Sequence, residues 1–315
     1  MEYAKRGNMN GIINVYKEKG FTSFDVCAKL RRILKTKKIG HTGTLDPDAE
    51  GVLPICIGNA TKLCDLLTDK DKVYETVLLL GVTTDTEDMT GTILSTKEVK
   101  ASIEEVRPVI QEFIGPYEQI PPMYSAIKVN GQRLYDLARK GTVIERQARQ
   151  VTIHEIEILD FIMDSENPSA VKEIRMRVSC SKGTYIRTLC KDIGERLGVG
   201  GCMKSLLRTK VSVFELANSL KIDEVEQIML NQEIDSILMP VDACFTHLPK
   251  AVMNEPFDKF LYNGNKLKAE QFIIKRENEL EETDEIRVYD SKNTFTGIYK
   301  YNIAEDCYKP VKMFL

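Results

Sequence analysis

Tryptophan is absent from the sequence, histidine occurs only at positions 41, 154 and 247, and no two of the eight cysteines stand close enough to form a C-x-x-C pair. Histidines and cysteines this scattered supply no ligand set for a structural metal and no disulfide framework, so a metal enzyme and a disulfide-stapled scaffold are both set aside. The cysteines sit among apolar neighbours, as in Ile55-Cys56-Ile57, Leu63-Cys64 and Leu189-Cys190, and read as buried, reduced thiols. No apolar run approaches the roughly 20 residues needed to span a membrane. Met1 to Asn10 is polar, with Lys5 and Arg6, and lacks the apolar stretch of a secretory signal. The expectation is a cytoplasmic protein with no membrane partner, in which residues 1–8 form a flexible extension and the fold begins near Met9.

What is present is an ordinary globular composition: 315 residues, 43% hydrophobic and 29% charged, enough for one large core or a large domain with a small one. The net charge of -3 gives no reason to expect a nucleic-acid partner, but its distribution does. Lys29, Arg31, Arg32, Lys35, Lys37 and Lys38 fall within ten residues that contain no acid, and residues 172–210 hold ten Lys and Arg against three acids. Compensating acids lie later, at 223–242 and 277–285. A single charge run is usually a solvated helix face, whereas two that flank one candidate site suit a phosphate-lined groove.

Along the chain, Gly11 to Tyr16 reads as a strand. Thr22-Ser23-Phe24-Asp25 resembles a capping box, followed by Val26, Cys27, Leu30, Ile33 and Leu34 at helical spacing. Ser102-Ile103-Glu104-Glu105 opens a second helix, which Pro108 should kink or delay and which should stop near Gly115-Pro116. Val73–Val82, Val151–Leu159 and the alternating Val171–Cys180 read as strands. Ile186 to Leu197 reads as a helix closed by Gly198. Gln119-Ile120-Pro121-Pro122 cannot be regular. The stretch from there to Gln150 carries six Lys and Arg, two acids and a short helical pattern at Leu134, Leu137 and Ala138, so it reads as a basic excursion. After Leu248-Pro249, short alternating runs at 272–274, 286–289, 295–299 and 311–315 suggest a small β domain over 249–315. Mixed elements without βαβ regularity make the larger part, 9–248, α+β with a mixed, mainly antiparallel sheet.

The stretch Lys38-Ile39-Gly40-His41-Thr42-Gly43-Thr44-Leu45-Asp46-Pro47 carries the most chemical information. Its two glycines permit close backbone approach or positive φ, and Pro47 holds Asp46 extended. Taken alone, Asp-Pro is a turn initiator. Beside a basic helix, the same loop presents one imidazole and one carboxylate. Tyr74 could stack on a base or simply pack across strands. Arg187 follows Gly183-Thr184-Tyr185-Ile186 at a strand-to-helix junction, where it could hold a carboxylate ionised or lie on the surface. Leu206-Leu207-Arg208 reads as core followed by a phosphate contact.

These segments together resemble the bacterial tRNA pseudouridine-55 synthases, the TruB family. The resemblance runs from Met9 over nearly the whole chain. Its motifs are Asn10-Gly11-Ile12-Ile13-Asn14-Val15-Tyr16-Lys17 with Gly20-Phe21-Thr22-Ser23, the Gly40 to Lys62 block, Tyr74, and Thr84-Asp85-Thr86-Glu87-Asp88. They continue in Gln119-Ile120-Pro121-Pro122-Met123-Tyr124-Ser125-Ala126 and Gly183-Thr184-Tyr185-Ile186-Arg187. The resemblance implies a pseudouridine-synthase core with a PUA-like, RNA-binding C-terminal domain, tRNA (the T-arm) as partner, and no cofactor. It implies Asp46 as nucleophile, Arg187 as its partner, Tyr74 as a stacking residue and proton mediator, His41 as a substrate contact, and Tyr185 and Leu206 as lining of the uridine pocket. Residues 119–150 would close over the RNA, and Lys29, Arg31, Arg32, Lys35 and Arg208 would follow its backbone. The sequence departs from the family pattern at Asp48-Ala49-Glu50, at Glu18 and at Phe24. A monomer is expected.

Two other functions fit parts of this pattern. A non-catalytic RNA-binding protein would use the basic groove but not the Asp46, Tyr74 and Arg187 set. A glycosidase-like hydrolase would need a second carboxylate, with Asp48 or Glu50 as the candidates.

Overall fold

The computed structural model describes residues 9–125, 127–129, 131–142, 144–273 and 285–315. The expected extension at 1–8 and the end of the expected 272–274 run lie outside the described residues. A nine-stranded sheet organises the larger part. Its path runs Gly11–Lys17, Glu50–Ile57, Gly201–Val211, Lys72–Leu80, Val171–Cys180, Arg149–Met163 and Gly115–Gln119, with Ile39–His41 beside Glu50–Ile57 and Phe214–Glu215 beside Gly201–Val211. Each pairing is antiparallel except one: Gly201–Val211 runs parallel to Glu50–Ile57 through Leu207 opposite Glu50 and Arg208 opposite Gly51. A second sheet of four strands, Lys250–Val252, Glu285–Tyr289, Phe295–Asn302 and Cys307–Met313, makes the C-terminal part β-rich. The fold class is α+β, as the sequence indicated.

Local chemistry accounts for the elements. Val171–Cys180 alternates because Ile174, Met176, Val178 and Cys180 face one core while Arg175 and Arg177 face solvent. Both capping boxes form. Thr22 and Asp25 bond reciprocally at the start of Ser23–Ile33, and Ser102 and Glu105 do so at Ile103–Gln111. The second helix runs through Pro108 without delay and ends at Gln111, earlier than expected; Gly115–Gln119 is already strand. Pro108 and Glu104 are both exposed, so the carbonyl that the missing N–H would have bonded faces water.

One core cluster lies under the helix Ile186–Arg196 and joins Leu45, Tyr74, Ile186, Leu189, Met203 and Leu206. A second packs the helix Ser23–Ile33 against Ile13, Val15, Leu53 and Ile55. A third is shared between the two parts of the chain: Ile12, Leu63, Leu67 and Phe245 meet Ile298 and Phe314 of the C-terminal sheet, which also has a cluster of its own around Met253, Val288 and Tyr299. Among the described residues no helix is long and apolar enough to cross a membrane.

Candidate active site

The loop between Ile39–His41 and Glu50–Ile57 is fixed from several sides before any functional atom is considered. Leu45 N–H donates to the Ser23 hydroxyl at 2.9 Å. Gly20 N–H donates to the Pro47 carbonyl, and Ala49 N–H closes a turn on the Asp46 carbonyl. Lys17, wholly buried, donates its ammonium to the carbonyls of Pro47 at 2.9 Å and Glu18 at 3.2 Å, and also to Ala49. Arg208, equally buried, bridges the Val52 carbonyl at 2.8 Å and the Gly43 carbonyl at 3.1 Å. Its strand comes so close that a Cβ on Gly51, whose φ is +104°, would stand 2.2 Å from the Arg208 carbonyl oxygen. Only glycine permits that approach.

Asp46 is presented on this frame. Its carboxylate meets Arg187 side-on, with Nε to Oδ2 at 3.0 Å and Nη2 to Oδ1 at 3.3 Å. Arg187 is nearly buried and its other N–H groups are occupied as well. Nη1 donates to the Thr86 carbonyl at 3.1 Å, Nη2 donates to the Tyr124 carbonyl at 2.8 Å, and Asp88 stands 3.7 Å from Nη1. Asp88 is in turn held by the hydroxyls of Thr86 and Thr90 at 2.7 and 2.6 Å. The Asp46 side chain keeps 38% of its surface exposed. Burial on its remaining sides pushes its carboxyl above the ordinary carboxylate range, Arg187 pulls it back, Asp88 adds to the rise and Lys17 opposes it.

The other expected residues fall around this pair. Tyr74 is buried in the strand Lys72–Leu80, directly across from Arg208 and Val178. Burial raises its phenol, and the neighbouring Arg208 acts against that rise. Its hydroxyl is therefore protonated at neutral pH and can donate. His41 accepts the Gly43 N–H on Nδ1 at 3.3 Å, and burial with the nearby Arg208 charge lowers its pKa. A neutral ring accepting on Nδ1 carries its proton on Nε2, which leaves a donor. Tyr185 precedes the helix Ile186–Arg196, with Arg187 and Asp46 close enough to act on its phenol, and Leu206 shares the cluster with Tyr74 and Leu45. Lys29, Arg31, Arg32 and Lys35 lie on and just after the helix Ser23–Ile33; Lys29 sits 4.0 Å over the Phe21 ring.

Arg208 is the correction. It was expected along the RNA backbone, but it is 1% exposed and its guanidinium is spent on the Gly43 carbonyl of the Asp46 loop, the Val52 carbonyl of the strand after it and the neighbourhood of Tyr74. A phosphate cannot reach it. Sequence reasoning also passed over Lys17, Asp88 and Gln119. Lys17 had a signal, since it continues the buried phase Ile13, Val15, Lys17 of its strand. Asp88 had another, the hydroxyls of Thr84, Thr86 and Thr90 at every second position around it.

Residues 31–186 match the family described as TruB family pseudouridylate synthase (N terminal domain), and residues 187–246 match the tRNA pseudouridylate synthase B C-terminal domain. The chain belongs to the TruB family of pseudouridine synthases. A relative from Lachnoclostridium phytofermentans, named tRNA pseudouridine synthase B, is 64% identical over 307 residues, which is 98% of this chain and 100% of that one. Another of that name, from Oceanobacillus iheyensis, is 43% identical over 97% of this chain and 98% of its own. Among solved structures, an archaeal box H/ACA sRNP Nop10-Cbf5 complex superposes with a TM-score of 0.71 at 23% identity, covering 99% of this chain and 89% of that one. An H/ACA RNP bound to a substrate RNA containing 2'-deoxyuridine gives a TM-score of 0.72 at 22% identity, over 97% and 85%. At such identities the two structures bear on the fold alone.

Proposed function

We infer that this TruB-family enzyme isomerises the T-loop uridine of tRNA, position 55, to pseudouridine, with Asp46 as nucleophile. The observation that carries the reading is the Asp46–Arg187 pair, a carboxylate held side-on by a buried guanidinium yet still partly exposed. Forming pseudouridine requires the N1–C1′ bond to break, the freed uracil to turn, and C5 to join C1′. An ionised carboxylate in a site of low dielectric can attack C1′, add to C6 or assist elimination across the ribose. Tyr74, protonated and beside the pocket, would stack on the base and mediate the loss of the C5 proton. Tyr185 and Leu206 would line the uridine, and the Nε2–H of His41 would contact the RNA. The flipped-out base must leave its stack, which costs a few kcal/mol and is offset by such a pocket. Neither a cofactor nor a metal enters this route.

The positions of other carboxylates weigh against hydrolysis of a glycosidic bond. Asp48 pairs with Lys19 at 3.6 Å, Glu50 accepts the Tyr16 hydroxyl at 3.1 Å, and Asp88 faces Arg187, so none stands as a second catalytic acid. A non-catalytic RNA-binding role leaves the buried Arg187 pair without a purpose. The reading extends to a cytoplasmic monomer, to residues 119–150 closing over the RNA, and to a PUA-like C-terminal domain adding RNA contacts. Tritium release from C5-labelled uridine in a T-arm RNA is the direct assay. Asp46→Asn should abolish release while retaining RNA affinity; release at the wild-type rate would sink the assignment, and free uracil would point to hydrolysis.

A further inference from the structure

The helix Ser23–Ile33 carries an aromatic side chain that the chemistry above does not use. Ser23, Val26, Cys27 and Leu30 turn to the core. Along one flank of that core face, at intervals of four and three, stand the exposed Phe24 and the half-buried Ala28 and Arg31, with the exposed Arg32 farther round. Phe24 is 69% exposed, the largest fraction among the large apolar side chains of the described residues. One exposed apolar side chain is ordinary on a protein surface. Two neighbours set this one apart. Its predecessor Ser23 accepts the N–H of Leu45, so Phe24 and Asp46 each lie one residue, about 3.8 Å of chain, beyond the same hydrogen-bonded pair. Arg31 follows two helical turns on, about 10 Å along the axis, and opens a run through Arg32, Lys35, Lys37 and Lys38 that no acid interrupts. The acid next to Phe24, Asp25, is engaged by the N–H and hydroxyl of Thr22. An exposed ring at the head of a positive strip has the two properties that hold unpaired nucleotides: a face for stacking and charge for the phosphates.

We propose that this face is a subsite for a second unpaired base of the RNA substrate, beside the uridine held at Asp46: Phe24 stacks on the base, and Arg31 and Arg32 hold the phosphates next to it. The subsite rests on the RNA-modifying reading above and adds to it a base contact outside the uridine pocket. Because every base offers a π-face, it accepts any base but not the loss of one.

The experiment uses the full chain with a T-arm stem–loop RNA, measuring affinity, tritium release and thermal unfolding together. Phe24→Ala should raise Kd and KM roughly tenfold, with the loss in KM rather than kcat and no shift of the unfolding midpoint. Phe24→Trp should restore affinity; Phe24→Leu, apolar but not aromatic, should not. In the wild type, one abasic position in the loop other than the target should weaken binding by a similar factor, and in Phe24→Ala that same abasic RNA should bind no worse than the intact one. The salt dependence of binding should be unchanged in Phe24→Ala, whereas Arg31→Ala and Arg32→Ala should each lower its slope by about one. Wild-type affinity in Phe24→Ala, or rescue by Phe24→Leu, would overturn the proposal. So would a self-association of the protein that Phe24→Ala abolishes, since the face would then belong to a second copy. Absence of tritium release by the wild type would instead defeat the functional reading itself.

Discussion

Gln119 grips the backbone of Tyr185 with both ends of its side-chain amide, accepting the Tyr185 N–H at 2.7 Å and donating to the Tyr185 carbonyl at 3.0 Å. The edge strand Gly115–Gln119, from which residues 120–148 depart, is thereby tied to the first turn of the helix that bears Arg187. A second tie lies two residues earlier, where the Tyr117 hydroxyl bonds Asp192 on that helix. Replacing Gln119 by Leu would leave the part-buried Tyr185 N–H unpaired, at a cost of about 1 kcal/mol, while the Tyr185 carbonyl still accepts the Leu189 N–H. The expected outcome is a lower urea midpoint at unchanged m-value, with tritium release reduced because Arg187 loses its positioning.

Arg187 should govern the acid limb of the rate profile. On the proposed reading the ionised form of Asp46 reacts, and its pKa is raised by burial and restrained by Arg187. Activity therefore falls as pH drops through a pKa above the usual carboxylate value. Arg187→Gln removes the restraint, so the limb should move to higher pH while the plateau rate falls. Single-turnover rates from pH 4.5 to 8 read both; a limb that moves to lower pH would contradict the assigned pairing.

Lys17 predicts an alkaline gain in stability. Burial pushes its ammonium down to about 8 from 10.5, so between those values the unfolded chain binds the proton that the folded one has released. Stability then rises with pH across that window. Lys72, pushed down by burial to about 8 while its ammonium donates to the carbonyls of Thr68 and Lys70, contributes with the same sign. Burial raises the thiols of Cys27, Cys180, Cys190, Cys202 and Cys244, which oppose that gain above about pH 9 in every variant. The change in urea midpoint from pH 7.5 to 9.5 should therefore be less favourable for Lys17→Met than for the wild type, and Lys17→Met is also destabilised overall because three carbonyls lose their donor.

Gly51→Ala should fail for two reasons at one position. Its φ lies in the left-handed half of the map, and the added methyl would meet the Arg208 carbonyl at 2.2 Å. A loss of at least about 3 kcal/mol is expected, read as a large drop in the unfolding midpoint or failure to accumulate as folded protein.

Arg208 and Arg31 should separate in one experiment. Arg208→Ala leaves the carbonyls of Gly43 and Val52 without their donor, so it should lower stability and activity with little change in the salt slope of RNA binding. Arg31→Ala should leave the midpoint alone and reduce the slope by about one.

The difference between those two arginines shows what the sequence could and could not convey. Arg31 sits in a helix whose caps, apolar phase and basic face are all encoded within a dozen residues, and the helix formed as read. The strand Val171–Cys180 was legible for the same reason, because alternation is local. Arg208 follows two leucines and resembles any strand-end arginine. Its burial is set by Gly43 and Val52, more than 150 positions earlier, and by the one parallel pairing in the sheet. Asp46, Arg187 and Tyr74 were assigned through family resemblance. No local rule would have paired Asp46 with an arginine 141 positions away, or supplied Asp88 and Tyr124 as the arginine's other contacts. Pro108 shows the reverse limit. A local rule overstated its effect because the carbonyl it leaves unbonded faces water.

The core cluster that holds Ile12 also holds Phe314, with Phe245 and Phe295 stacked between. During synthesis the strand Gly11–Lys17, which carries Ile12, is made long before the segments around Phe295 and Phe314 that cover that side. Nascent chains halted before Phe295 should accordingly expose an apolar surface to chaperones, and active enzyme should accumulate only after translation has passed the final β-strand.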